Sequence, residues 1–305
     1  MEAIVEHDTE QEVGITEPEG ATPPPLKTPM YKAMHAERYQ RQAQIVQLQK
    51  DSGSRLICYV ASKARITRDD TLGMVELLHN IKPNSNIDFL LHTGGGDIDA
   101  AEKLMYIVRN TVGTGRLRVI VPDFAKSAGT LMALAADTIV MSDCSELGPI
   151  DPQITLGDGR GNAIPHSVMS YLDAYKVHSE ALRKDPNDVV ACMMLNKLDP
   201  ATLNVFEAAR NRAQKLAGEH LNRWMFHEKK ADYTKIASAL MDNTRWLAHG
   251  QMIGYQAAQE LELVVEYLSP DNPTWRAYWQ LYCHQRLAIK DEQKLFESDF
   301  VSLCM

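Results

Sequence analysis

Lysine and arginine are missing from the first 26 residues of this 305-residue chain, which carry seven acids: Glu2, Glu6, Asp8, Glu10, Glu12, Glu17 and Glu19. A segment of that charge, closing on Pro23-Pro24-Pro25, can bury too little apolar surface to offset its ordering entropy. Residues 1–27 are therefore expected to form a disordered acidic, proline-rich arm. The whole chain has 40 Asp and Glu against 32 Lys and Arg, a formal charge of -8. Subtracting the arm's seven acids leaves 33 acids against 32 bases, so the body is almost neutral. With no basic surplus to neutralise phosphates or coat an anionic membrane, neither nucleic acid nor membrane is expected as a partner. Long apolar runs are missing too: none approaches the roughly 18 residues of a membrane span, and no basic and then apolar leader opens the chain. That pattern predicts a cytoplasmic protein. Cysteine is sparse and scattered (Cys58, Cys144, Cys192, Cys283, Cys304), without CxxC or a Cys/His cluster at zinc spacing. Neither a disulfide framework nor a metal site is expected.

What the chain does contain is a folded composition, 45% apolar and 24% charged, arranged in alternating strand and helix patterns. Thr28-Pro29 reads as a helix cap followed by proline at the first helical position, opening a polar helix over residues 28–50. Residues 55–61 form a strand, and Thr67-Arg-Asp-Asp70 caps a helix carrying Leu72, Val75, Leu78 and Ile81. Residues 87–92 are a buried strand running into Gly94-Gly95-Gly96. A helix over 98–112, a strand over 116–122, a helix over 127–136 and a strand over 138–141 follow. Repeated strand–helix units predict an α/β fold with a largely parallel sheet covered by helices. Beyond Asp151 the pattern turns helical, at 166–184, 188–198, 200–227 and 233–241. Residues 165–245 thus read as a mainly helical elaboration within a single domain spanning 51–305. A helix–strand pair at 252–263 and 264–268 and a last helix near 275–289 close the series.

Two turns, each directly after a strand, carry candidate chemistry, because the carboxyl ends of parallel strands are where active sites collect. Gly94-Gly95-Gly96 allows close approach to a ligand and lets N–H groups face a cleft. Ser127 stands at a helix start, where small Ala128, Gly129 and Thr130 leave its hydroxyl accessible and the Ala128 N–H favours negative charge. The pair looks like an oxyanion hole facing a nucleophile. A Walker phosphate loop is excluded because no Gly-Lys-Ser/Thr follows the glycines, and a Rossmann fingerprint fails at Asp99. Ser127 is not in a G-x-S-x-G elbow either, since Ala125 stands two residues before it.

These residues also carry a resemblance. His92-Thr-Gly-Gly-Gly-Asp97, Ala125-Lys-Ser-Ala-Gly-Thr130, Ala135-Ala-Asp-Thr-Ile-Val-Met141 and Ser145-Glu-Leu-Gly-Pro-Ile-Asp-Pro-Gln153 are similar to the serine dehydrogenase proteinase (SDH proteinase) family. That family lies in the ClpP/crotonase superfamily and is related to signal peptide peptidase A. Arg245-Trp-Leu-Ala-His-Gly250 through residues 257–264 also resembles the closing segment of signal peptide peptidases, with Glu262 where those usually have glycine.

The resemblance implies a ClpP/crotonase-like serine endopeptidase acting on polypeptides, a homo-oligomer without metal or organic cofactor, and a possible partner protein or unfoldase. It makes Ser127 the nucleophile and the N–H groups of Gly95, Gly96 and Ala128 the oxyanion hole, with Gly94 and Asp97 against the substrate. The base is less direct. Where Clp-type peptidases carry a His after the nucleophile helix, this chain has Asp151. Matching the proline that precedes the catalytic Lys of membrane-protease relatives points to His166, after Pro165, as the base. His can take a serine proton at neutral pH without the pKa depression a Lys needs. Lys176 is a second candidate, and Asp151 could orient a base. His92 is a candidate lining residue, Lys126 is expected to face away from the cleft, and His249 is read as a cap before the helix near Met252. Two rival readings are a degenerate peptide-binding scaffold and a crotonase-type acyl-CoA enzyme.

Overall fold

Near-continuous apolar runs make buried parallel strands, because such strands are covered by helices on both faces. The computed structural model describes residues 27–157, 163–227 and 231–305; apart from Lys27, the expected arm lies outside the described residues. Two helices lead in, α1 (Pro29–Met34) and α2 (Ala36–Ser52). Thr28 caps α1 as expected, but the helix breaks at His35, so the expected single helix is two. Strand β1 (Arg55–Ser62) and α3 (Asp70–Leu78) follow, then β2 (Ile87–His92), α4 (Ile98–Val112), β3 (Leu117–Ile120), the two-residue β4 (Phe124–Ala125) and α5 (Ala128–Leu134). Next come β5 (Thr138–Met141), a short β6 (Glu146–Leu147), and the hairpin of β7 (Gln153–Gly157) and β8 (Ala163–Ser167). A helical stretch holds α6 (Val168–Lys184), α7 (Val189–Leu195), α8 (Pro200–His220) with a π-helical turn at Leu221–Met225, and α9 (Tyr233–Leu240). The chain closes with α10 (Tyr255–Glu260), β9 (Val265–Tyr267), α11 (Pro273–Leu287), β10 (Gln293–Glu297) and β11 (Ser302–Cys304).

The main sheet has seven strands in the order β11-β10-β1-β2-β3-β5-β9. From β1 to β9 every pairing is parallel, and β10 and β11 add an antiparallel edge. Alternation along β1 sends Ile57, Tyr59 and Ala61 into one core with α3, α4 and α5, and Leu56, Cys58 and Val60 into a second core with α2 and α11. All seven residues of α5 are buried, so the turn before it is held from beneath as well as from its flanks.

Two further local expectations change. In α3 the buried side is Met74, Leu77 and Leu78, whereas Leu72 and Val75 are exposed. Gly73 sets this rotation: a Cβ there would sit 2.5 Å from the Phe296 ring, so the helix can lie directly on β10. The helix expected to open at His166 instead begins at Val168, capped by Ser167, and His166 belongs to β8, opposite Ile154. Glu262 adopts φ 64, the left-handed region where glycine is favoured, which accounts for the glycine that signal peptide peptidases place there.

Candidate active site

The parallel strands end at one edge, and there the glycine turn and the Ser127 turn interlock. Thr93 joins them in a strand-like bridge to Ala125: its N–H donates to Phe124 O at 3.0 Å and its carbonyl accepts from Lys126 N at 3.0 Å. Gly95 lies so close that a Cβ would stand 3.0 Å from Ser127 Cβ and 3.2 Å from Ala128 N, and its φ of +98° is itself a glycine conformation. A Cβ on Gly96 would meet the backbone N and O of Ile66 at 2.4 Å. This intimacy exists because Ile66 bridges the turn from its far side, donating to Gly95 O and accepting from Asp97 N.

Ser127 has φ 54 and ψ -116, a conformation that L-residues rarely adopt. Such strain costs on the order of 1–3 kcal/mol and persists only where the surroundings over-determine it. Here they do: Gly129 N donates to Lys126 O at 2.7 Å, Thr130 Oγ1 lies 2.8 Å from Ala125 O and 2.9 Å from Gly148 O with one proton to donate between them, and Leu131 N donates to Ser127 O. A strained serine on a strand-to-helix turn is the arrangement that presents a nucleophile hydroxyl to a cleft. It arises here without the G-x-S-x-G spacing.

Of the three expected oxyanion donors, Gly95 is spent, because its N–H donates to Thr93 Oγ1 at 3.1 Å. Among the described residues no acceptor takes the N–H of Gly96 or of Ala128; Gly96 shares the cleft lining with Ser127, and Ala128 follows Ser127 in the chain. Gly94 is exposed and lines the cleft, as does Asp97, whose Oδ1 also caps α4 by accepting from Asp99 N and Ala100 N.

A cleft of about 730 Å³ opens over Ser127. The 63–67 segment and the glycine turn line it together with Phe124, Gln153, Ile154 and His249. The expected bases do not line it. His166, one strand away, is not among its lining residues, and Lys176 is exposed on α6. Among the described residues, His249 is the histidine that lines the cleft. Its Nδ1 is buried and stands 3.4 Å from Asp151 Oδ2, without a completed hydrogen bond. Asp151 is buried to 7% exposure and accepts from Ser167 Oγ at 2.9 Å, so the hairpin that carries Ser167 fixes the carboxylate. His92, by contrast, is buried beneath the cleft against Phe124 and Tyr282, outside the lining. Among the described residues no group of three His, Cys, Asp or Glu is placed to hold a metal ion, and no helix is long and apolar enough to cross a membrane.

A family profile described as ClpP-like SDH-type serine proteinase matches residues 28–266. The chain belongs to that family. Two curated relatives from Methanocaldococcus jannaschii, the uncharacterized proteins MJ0137 and MJ1495, are 38% and 35% identical over 89 residues. Each match takes in 29% of this chain and 30% of the relative, so the chain spans under a third of the length of the curated relatives it matches. Membership of a serine proteinase family gives the strained Ser127 and its cleft a chemical context. His249, expected as a cap before the helix near Met252, is not one: α10 begins at Tyr255 with Gly254 at its N-cap, and His249 instead lies at the cleft beside Asp151.

Proposed function

We propose that the chain is a serine endopeptidase in which Ser127 is the nucleophile, His249 the general base and Asp151 the group that orients it. The observation that carries this reading is the strained Ser127 sharing one cleft with a histidine backed by a buried carboxylate. In the reaction, Ser127 Oγ forms a bond to the scissile carbonyl carbon while its proton passes to His249 Nε2. The carbonyl electron pair moves onto oxygen, where the Gly96 and Ala128 N–H groups donate to it. Collapse breaks the C–N bond, and His249 returns the proton to the leaving amine. Water, deprotonated by the same histidine, then releases the acyl group and restores Ser127. Asp151, on the Nδ1 side, favours the tautomer with the proton on Nδ1 and stabilises the imidazolium. The 3.4 Å separation is long for a hydrogen bond, as is common before substrate tightens such a site.

A fluorophosphonate probe tests the reading. Wild-type protein should be labelled, Ser127→Ala should not, and His249→Ala should lower the labelling rate by about 100-fold or more. His166→Ala and Lys176→Ala should stay within about threefold of wild type. Full reactivity in His249→Ala would reject the assigned base. Absence of labelling in wild type would favour the peptide-binding scaffold, and copurifying coenzyme A the acyl-CoA enzyme.

A further inference from the structure

Lys126, next to Ser127, turns its side chain away from the cleft and into the junction of three segments. Its ammonium pairs with Glu146 and lies 3.2 Å from Leu147 O, 3.4 Å from Gly250 O and 3.3 Å from Gln251 O. The first two partners belong to β6, which pairs in parallel with β4 just ahead of the Ser127 turn. The last two follow His249 directly in the chain. The same β6 residue, Leu147, also exchanges backbone hydrogen bonds with Ile253, so the segment bearing His249 is stitched to β6 beyond the lysine contacts. Room for this lysine is built in: a Cβ on Gly148 would stand 2.7 Å from Lys126 Cδ.

We propose that Lys126 is a positioning residue, which fixes the His249 turn relative to Ser127 by holding the carbonyls of Gly250 and Gln251. The inference rests on His249 being the base. Surrounded by a carboxylate and three carbonyl oxygens, the amine serves as a donor and is turned from the Ser127 proton. Its reach matters because the two turns come from distant parts of the chain, and a misplacement of about 1 Å between nucleophile and base can cost about 100-fold in rate. The Lys126 backbone is tied to the glycine turn through Thr93, so one residue connects the oxyanion loop, the nucleophile and the base.

The test compares full-length wild type with Lys126→Met, Lys126→Arg, His249→Ala and the Lys126→Met/His249→Ala double variant, using hydrolysis of p-nitrophenyl acetate and fluorophosphonate labelling. Lys126→Met should lower kcat about 10- to 100-fold with KM within about threefold, and Lys126→Arg should recover part of the loss. In the His249→Ala background, Lys126→Met should change the labelling rate by less than about twofold, since a residue acting through His249 has nothing left to position. An undiminished Lys126 effect in that background would overturn the proposal, showing that the lysine acts independently of His249. So would a Lys126→Met enzyme with wild-type kcat beside an inactive His249→Ala, which leaves the base assignment standing. Wild-type activity in His249→Ala would instead remove the base and the clamp together. If Lys126→Met does not fold, Glu146→Gln carries the same cycle, with an expected loss of about 3- to 10-fold in kcat.

Discussion

Glycine and serine define this site through what they leave out and what they tolerate. Gly96 can lie against Ile66 only because it has no side chain, since the Ile66 backbone occupies the place of a Cβ. Gly96→Ala should therefore push the turn off Ile66 and misdirect the donor, lowering the rate of fluorophosphonate labelling by about 100-fold, as loss of one oxyanion donor does elsewhere. Gly218→Ala on α8, outside the cleft lining, is the control: the nearest atom to its Cβ position is a Tyr233 ring carbon at an ordinary 3.7 Å, and it should remain within about threefold. The glycine turn and the Ser127 turn were legible in the sequence because a small-residue turn after a strand is a local pattern, and the structure brings the two together. The approach of His249 to Asp151 was not, because it is a tertiary contact: along the chain His249 reads only as a residue ahead of a helix. The helix start expected at His166 followed a local rule, a proline before a helix, whereas here an antiparallel hairpin holds that segment extended and passes the cap to Ser167.

Elements with strong local signals are those the sequence delimits well. Helix α4 occupies the expected 98–112, set by the Asp97 cap and by Gly113 at the end. Strands β10 and β11 escaped notice because each is short and takes its meaning from partners far along the chain, Cys58 to Ser62 for β10. The same distance explains how α2 docks. Its Arg41 is buried and donates Nε to both carboxylate oxygens of Glu297 at 3.0 Å, and Glu297 also accepts from Gln285 and Ser302. Arg41→Met would leave that carboxylate buried without its charge partner, a change that costs about 3 kcal/mol. Urea unfolding should show that loss as a lower midpoint, while fluorophosphonate labelling per folded molecule stays at the wild-type level because α2 lies on the second core, away from the cleft. A midpoint within experimental scatter of wild type would mean that the Gln285 and Ser302 hydrogen bonds suffice to hold Glu297.

At the scale of the whole molecule, acid should be the stress to which this fold is most exposed. His92 closes β2 immediately before the glycine turn and is 2% exposed. Burial, aided by the Arg286 charge, pushes its pKa down to about 3 from 6.5. The Asp123 carboxylate 3.8 Å away does not offset this, so the contact is not an ion pair at neutral pH. Tyr282 donates its hydroxyl proton to Asp123 and is left to accept from a neutral His92 ring. Burial lowers the pKa of His220 as well, beside Leu131 O on α5. A histidine whose pKa is depressed by folding binds its proton more readily when unfolded, so its contribution to stability is complete above about pH 6.5 and is lost as the pH falls toward 3. His92 by itself should remove about 2 kcal/mol between pH 7 and pH 5, a window in which ordinary carboxylates titrate little. His92→Gln keeps a donor for Tyr282 but cannot titrate. Its urea midpoint should start lower at pH 7 and fall less steeply on acidification, whereas a slope parallel to wild type would show that His92 is not the group that links the active-site edge to pH.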